Sequence, residues 1–181
     1  MSNDFQTLPG FHARAWTQLR SGAAAREHVA LATVSTAGLP EARTVVLRAA
    51  DEGAATVEIY TDLKSDKIAS LRAHPVVSVL YWDAETALQM RAACDVTILS
   101  GQAAQSRWDG VPDHSRYSYG ITPAPGQVIA ESTAYHKDPQ MDDFAVLQCR
   151  ISHLDVLHLK QPHRRAQFSR DSEWCGNWVA P

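Results

Sequence analysis

The sequence predicts a mainly β protein, a mostly antiparallel β-barrel carrying a few helices. Three observations predict it. Residues 86–101 alternate between apolar and polar side chains, the pattern of a strand with one buried face. Three strand-like segments, 28–35, 43–49 and 56–62, are separated by the turn-forming AGLP (37–40) and DEG (51–53), which suggests an antiparallel meander. Strand character returns at 144–159, and 164–170 with 174–180 read as a hairpin around Asp171-Ser172. The count is about seven strands, and closure into a barrel removes the edges such a sheet would otherwise expose.

The elements follow in order. Phe11, Ala15, Trp16, Leu19 and Ala23 recur at three- and four-residue steps, with Arg14, Arg20 and Arg26 off the stripe. That spacing predicts a helix over 11–29. After the meander, SDKIASLRAHP (65–75) predicts a second helix, with Ser65 as N-cap and Pro75 as terminator. VVSVLYW (76–82) lacks clean alternation and reads as a strand buried on both faces. In 86–101, Leu88, Met90, Ala92, Cys94, Val96 and Ile98 share one face, and Gln89, Arg91, Asp95 and Thr97 the other. Residues 102–143, rich in turn formers and aromatics, predict short helices and a loop. Segments from 144 to 181 are expected to close the barrel, making 1–181 a single domain.

Composition excludes several classes. The 181 residues are 45% hydrophobic and 20% charged, enough for a core without disulfides, and unlike disordered, collagenous or coiled-coil chains. A net charge of −3 argues against a surface made for nucleic acid or anionic membrane. Cys94, Cys149 and Cys175 are odd in number, widely spaced and without CxxC, as expected of reduced thiols in a cytoplasmic protein. No signal segment or membrane span is expected. The histidines show neither HxxxH nor HExxH, so no metal site is expected, and GxGxxG, GxxxxGK[ST] and GxSxG are missing.

Three places carry chemistry. Lys64, Ser65 and Lys67 gather at a predicted helix start, where free N–H groups favour an anion. Asp66 offsets them, and a solvated helix start fits the same residues. Arg43 and Arg48 bracket the apolar TVVL of a strand and, five apart, point to opposite faces. Either one faces a polar cavity or interface, or both lie in solvent. Gln89 and Arg91 share a polar strand face; an amide there can match a heterocycle edge or simply meet water. Lys160, His163, Arg164 and Arg165 read as a basic, solvated turn.

Taken together, RTVVLR (43–48), IYTDLKSDK (59–67), HPVVSVLYW (74–82) and LQMR (88–91) resemble the pyridoxamine 5'-phosphate oxidase family, FMN-binding split β-barrels that work as homodimers. The likeness covers 25–101 well and 144–181 more loosely, ending in WCGNWVAP. It implies FMN as cofactor, held at the subunit interface of a homodimer. By resemblance, Arg43, Thr44, Val45, Val46, Leu47, Arg48, Tyr60, Thr61, Ser65 and Lys67 hold the flavin phosphate and ribityl chain. Gln89 touches the ring, and Gln127 matches a second glutamine that reaches the flavin from the partner subunit. Arg48 and Arg164 are implied contacts for a small-molecule substrate.

The chain also departs from the pattern. The family's first basic residue in S-[RK]-K is Asp66. The element that orients the B6 substrate reads Arg164-Arg165-Ala166-Gln167-Phe168, with Ala166 in place of histidine and Phe168 in place of arginine. The resemblance therefore implies an FMN-dependent oxidoreductase with a rebuilt, more apolar substrate pocket. A genuine pyridoxamine 5'-phosphate oxidase and a non-catalytic flavin-binding protein are the alternatives.

Overall fold

The computed structural model describes residues 5–181. Helix α1 spans Leu8–Ala25; the Thr7 hydroxyl accepts the Gly10 amide, and Pro9 sits in the first turn, where no amide partner is needed. Phe11, Ala15, Trp16 and Leu19 are buried, as the stripe predicts. The helix stops short of the predicted Val29 because Arg26 turns into the left-handed region (φ 56°) and its amide reaches back to Ala23 and Gly22. Val29 instead pairs with Val45 in the sheet. AAAREHV holds no glycine or proline to announce that stop.

Strands β1 (His28–Val34), β2 (Pro40–Asp51) and β3 (Thr56–Asp62) form the expected meander. Helix α2 (Asp66–Ala73) leads into β4 (Val76–Asp83) and β5 (Leu88–Ser100). Short helices α3 (Gln105–Asp109) and α4 (Asp113–Arg116) and a two-residue hairpin, β6 (Ile121–Thr122) with β7 (His136–Lys137), fill the next stretch. Then come β8 (Phe144–His158), β9 (Arg164–Ser169) and β10 (Gly176–Val179). The large sheet runs β10-β9-β8-β3-β2-β1-β4-β5, and β8 also pairs β5, so six antiparallel strands close a barrel.

The 15-residue β8 explains the closure. One of its edges pairs β5 along residues 145–158; the other is divided between β3 at 144–150 and β9 at 153–158. The expected C-terminal closure therefore belongs to β8 alone. The β9–β10 hairpin extends the sheet outside the barrel, and α1 packs against it and against β2.

The core is filled by inward residues of every barrel strand, including Leu31, Leu47, Ile59, Val79, Met90 and Ile151. A second cluster of Ala104, Val111, Tyr119, Phe144 and Val146 seals the 101–143 segment onto β3 and β8. β4 corrects the expectation of burial on both faces. Val77, Val79 and Tyr81 are buried, whereas Val76, Leu80 and Trp82 are 49%, 37% and 48% exposed. Alternation is missing because the outer face is apolar as well, and the described residues leave it partly exposed. Among the described residues, no helix is long and apolar enough to cross a membrane, and no group of histidine, cysteine and acidic side chains could hold a metal ion.

Candidate functional site

The cationic cluster predicted from sequence forms at one end of the barrel, where β2 and the start of α2 meet. Arg43 lies directly across from Leu31 and so points inward. Its guanidinium donates to the Thr33 hydroxyl at 2.6 Å and to a Glu41 carboxylate oxygen at 2.9 Å. Ser65 occupies the N-cap position of α2, but its hydroxyl caps no amide there. It donates to the Asp62 carbonyl at 2.7 Å and accepts from Lys67 Nζ at 2.9 Å. Lys67 also donates to the Thr61 hydroxyl at 3.0 Å.

Arg43, Ser65 and Lys67 line a cavity of about 270 Å³ with Glu41, Asp66, Pro125 and Gly126. Gly126 has φ +92°, and a Cβ there would run into the Asp66 carboxylate, so only glycine brings this loop so close. Asp62 ties the incoming segment down by accepting the Gly120 amide at 2.9 Å. Burial, and then the Arg43 charge, hold the Lys67 ammonium below its ordinary pKa against the pull of Asp62 and Asp66. Lys67 has no carboxylate ion-pair partner among the described residues, and no side chain caps the first amides of α2. The arrangement is suited to an anion with several oxygens, such as a phosphate.

The residues named from sequence do not all meet at this cavity. Thr61, Ser65, Lys67 and Arg43 come together. Leu47 is core and Val45 packs against it, whereas Thr44 and Val46 lie on the outer face of β2. Arg48 is separate from the cavity. A bulge lies between Leu47 and Ala49, and the Arg48 guanidinium sits 5.5 Å above the Tyr60 ring, facing the Tyr119 hydroxyl, with Nε buried and unpartnered. Gln89 is half-buried on the outer face, opposite Trp82. Gln127 is exposed, one residue past Gly126.

β9 requires a correction. Register places Gln89 beside Leu157 and Arg91 beside Asp155 on one sheet face. Across β9, Asp155 faces Gln167 and Leu157 faces Arg165. The β9 residues that share a face with Gln89 are therefore Arg165 and Gln167. Arg164, Ala166 and Phe168 point the other way. Ala166 and Phe168 are 0% and 2% exposed, and the Phe168 ring packs 5.1 Å from His12 of α1. A one-residue offset inverts every side chain of a strand, so Arg164, Ala166 and Phe168, the positions named by resemblance, lie on the face away from Gln89.

The polar face so assembled centres on Asp155. It accepts from Arg165 Nε and Nη2 at 2.9 and 2.7 Å, from Arg91 at 2.9 Å and from Gln167 at 3.0 Å. Burial alone would raise its pKa; the Arg165 and Gln167 hydrogen bonds and the two guanidinium charges prevail and hold it below the usual carboxylate range. A cavity of about 330 Å³ opens beside it, lined in part by Ser78, His153, Ser169 and Asn177. Sequence reasoning missed Thr33, Glu41, Gly126 and Asp155. Glu41 was within reach, because residues two apart on a strand share a face; the others depend on strand pairing or loop placement.

Known proteins give the same picture. The family model of the pyridoxamine 5'-phosphate oxidase FMN-binding domain matches residues 12–100. The pyridoxine/pyridoxamine 5'-phosphate oxidase 2 of Arabidopsis thaliana is 28% identical, covering 86% of this chain and 88% of that protein. A pyridoxamine 5'-phosphate oxidase-related, FMN-binding protein of Nostoc punctiforme superposes with a TM-score of 0.77 at 28% identity, over 95% of this chain and 96% of that one. PhzG of Burkholderia lata, solved with tetrahydrophenazine-1-carboxylic acid, shares the fold, with a TM-score of 0.71 at 19% identity over 96% and 92% of the two chains. With the closed six-strand barrel, these matches support the likeness of the chain to the pyridoxamine 5'-phosphate oxidase-like family of FMN-binding split barrels.

Proposed function

We propose that this protein is an FMN-dependent oxidoreductase that works as a homodimer on a small molecule. The observation that carries the reading is the cavity at the start of α2, where Arg43, Ser65 and Lys67 converge with Thr61 beneath them. Those residues would hold the FMN phosphate, with the extended backbone of 44–47 and Tyr60 along the ribityl chain and Gln89 at the ring edge. Bound FMN supplies a two-electron acceptor. The protein's part is to fix the phosphate, orient the ring and shape the space beside it. Arg48 turns toward Tyr60 and Tyr119 and does not line this cavity.

The uncovered apolar strip of Val76, Leu80 and Trp82 supports the homodimer, since an interface needs an apolar centre and this one flanks Gln89. For the substrate, the reading favours a molecule other than the B6 phosphates. Arg165 and Gln167 reach the face of Gln89, but both are already committed to Asp155. A second reading, a pyridoxamine 5'-phosphate oxidase proper, is favoured by the names of the curated relatives.

The absorption spectrum of the purified protein, with the released cofactor identified, tests the first claim. A colourless protein that takes up no FMN would overturn it. Anaerobic mixing with pyridoxamine 5'-phosphate separates the two substrate readings: rapid flavin bleaching selects the second.

A further inference from the structure

The cavity proposed for the FMN phosphate already contains negative charge. Arg43 is its most strongly directed cation, and its Nη2 is engaged by the Glu41 carboxylate at 2.9 Å. The same carboxylate oxygen lies 3.4 Å from the Thr33 hydroxyl, which Arg43 also contacts. Glu41, Arg43 and Thr33 thus form a closed triangle inside the end of the barrel. Asp66 adds a second carboxylate to the lining, held against Gly126. The lining therefore carries two cations, Arg43 and Lys67, against two carboxylates, Glu41 and Asp66. A phosphate near neutral pH brings about −1.5 to −2 charge and needs donors that are free of other anions.

The two cations are not equivalent. Among the described residues, Lys67 donates only to neutral hydroxyls, those of Thr61 and Ser65, and neither competes with an incoming anion. Arg43 is different: one arm of its fork, Nη2, is occupied by a carboxylate oxygen, an acceptor of the kind a phosphate presents, while Nη1 donates to the Thr33 hydroxyl. The sequence explains why Glu41 is so placed. It stands two residues from Arg43 on β2 and across from Thr33 on β1, so strand period and register put all three on one face.

Resting on the cofactor reading above, we infer that Glu41 is a resident stand-in for the FMN phosphate, which must be displaced from Arg43 for the cofactor to seat. In the empty cavity it compensates a half-buried guanidinium. In the loaded cavity it is a like charge beside the phosphate. The same side chain therefore stabilises the apo protein and weakens the holo protein, making FMN an exchangeable ligand rather than a permanently held one. Asp66 cannot take this role for Arg43, because it is not among that guanidinium's hydrogen-bond partners.

The test compares wild type with Glu41→Gln and Glu41→Ala in the full chain. Flavin fluorescence gives the dissociation constants of FMN and of riboflavin, which lacks the phosphate, and thermal melts are taken with and without FMN. The expected result is FMN binding about tenfold tighter in both variants, the scale of one charge-assisted contact released to the ligand. Riboflavin binding should stay within about twofold. The apo melting temperature should fall while the FMN-bound one rises. Unchanged or weaker FMN binding, or equal tightening for riboflavin, would overturn the stand-in role and leave the cofactor site intact. Failure of the wild type to bind FMN at all would overturn the cofactor site itself.

Discussion

Two arginine-bearing regions of this barrel are built from the same residue types and end in opposite states. At the start of α2, Lys67 meets only hydroxyls, and Arg43 shares its fork with one carboxylate. On the outer face of β5, β8 and β9, a single Asp155 accepts four hydrogen bonds from Arg91, Arg165 and Gln167. The first has unspent donors around a cavity; the second is a closed network that fixes side chains in place. Counting cations in a sequence does not separate these cases, since the distinction lies in where the carboxylates fall.

The largest effect expected from breaking this comparison is at Lys67. Lys67→Ala should weaken FMN binding about 10- to 100-fold, from the loss of a charge-assisted contact of about 1.5–3 kcal/mol. Flavin fluorescence titration measures it, and an unchanged affinity would mean that the cavity's donors are not those that hold the cofactor. Asp155→Ala should leave FMN affinity nearly intact but lower stability by about 1–3 kcal/mol, because two guanidinium groups lose their common partner. Denaturant melts read it.

The same residue gives a pH signature. The folded-state pKa of Asp155 is depressed, so its stabilisation is present above the unfolded value of about 4 and is lost as pH falls below it. Asp155→Asn should flatten the acid limb of the stability curve, and an identical acid limb in both proteins would contradict the network.

A smaller effect is expected at Gly126. Gly126→Ala forces the loop off Asp66 from a positive φ and should weaken FMN binding about threefold to tenfold and lower apo stability by about 1 kcal/mol. The smallest concerns Arg164, whose guanidinium makes its only hydrogen bond among the described residues to the Pro162 carbonyl, on the face away from Gln89. Arg164→Ala should change flavin binding and turnover less than about twofold, whereas Arg165→Ala should alter turnover. A turnover defect in Arg164→Ala with none in Arg165→Ala would mean that β9 turns its other face toward Gln89.

The cavity was legible in sequence because its donors lie in one stretch from Arg43 to Lys67 and because a helix start has a local signature. Gln89 was legible because β5 alternates cleanly. The facing of β9 was not. It depends on register against β8 across the 159–163 connection, and RRAQFS carries polar residues at both parities. β4 failed for the converse reason: an outer face apolar enough to suit a partner erases the alternation that separates inside from outside. Arg48 was assigned to the phosphate by resemblance, and its position is set by a bulge that no short-range spacing announces.

The divided edge of β8 bears on how this chain folds. Its partners lie far back in the sequence, with Asp62 meeting Phe144 and Leu88 meeting His158. A growing chain that has reached residue 143 can form the meander, α2 and the β4–β5 pair, yet both β3 and β5 still present unpaired backbone to solvent. Such edges are templates for pairing with other chains, and contacts this distant in sequence form slowly. The interval before β8 emerges and bridges them is the point at which this protein is most exposed to aggregation.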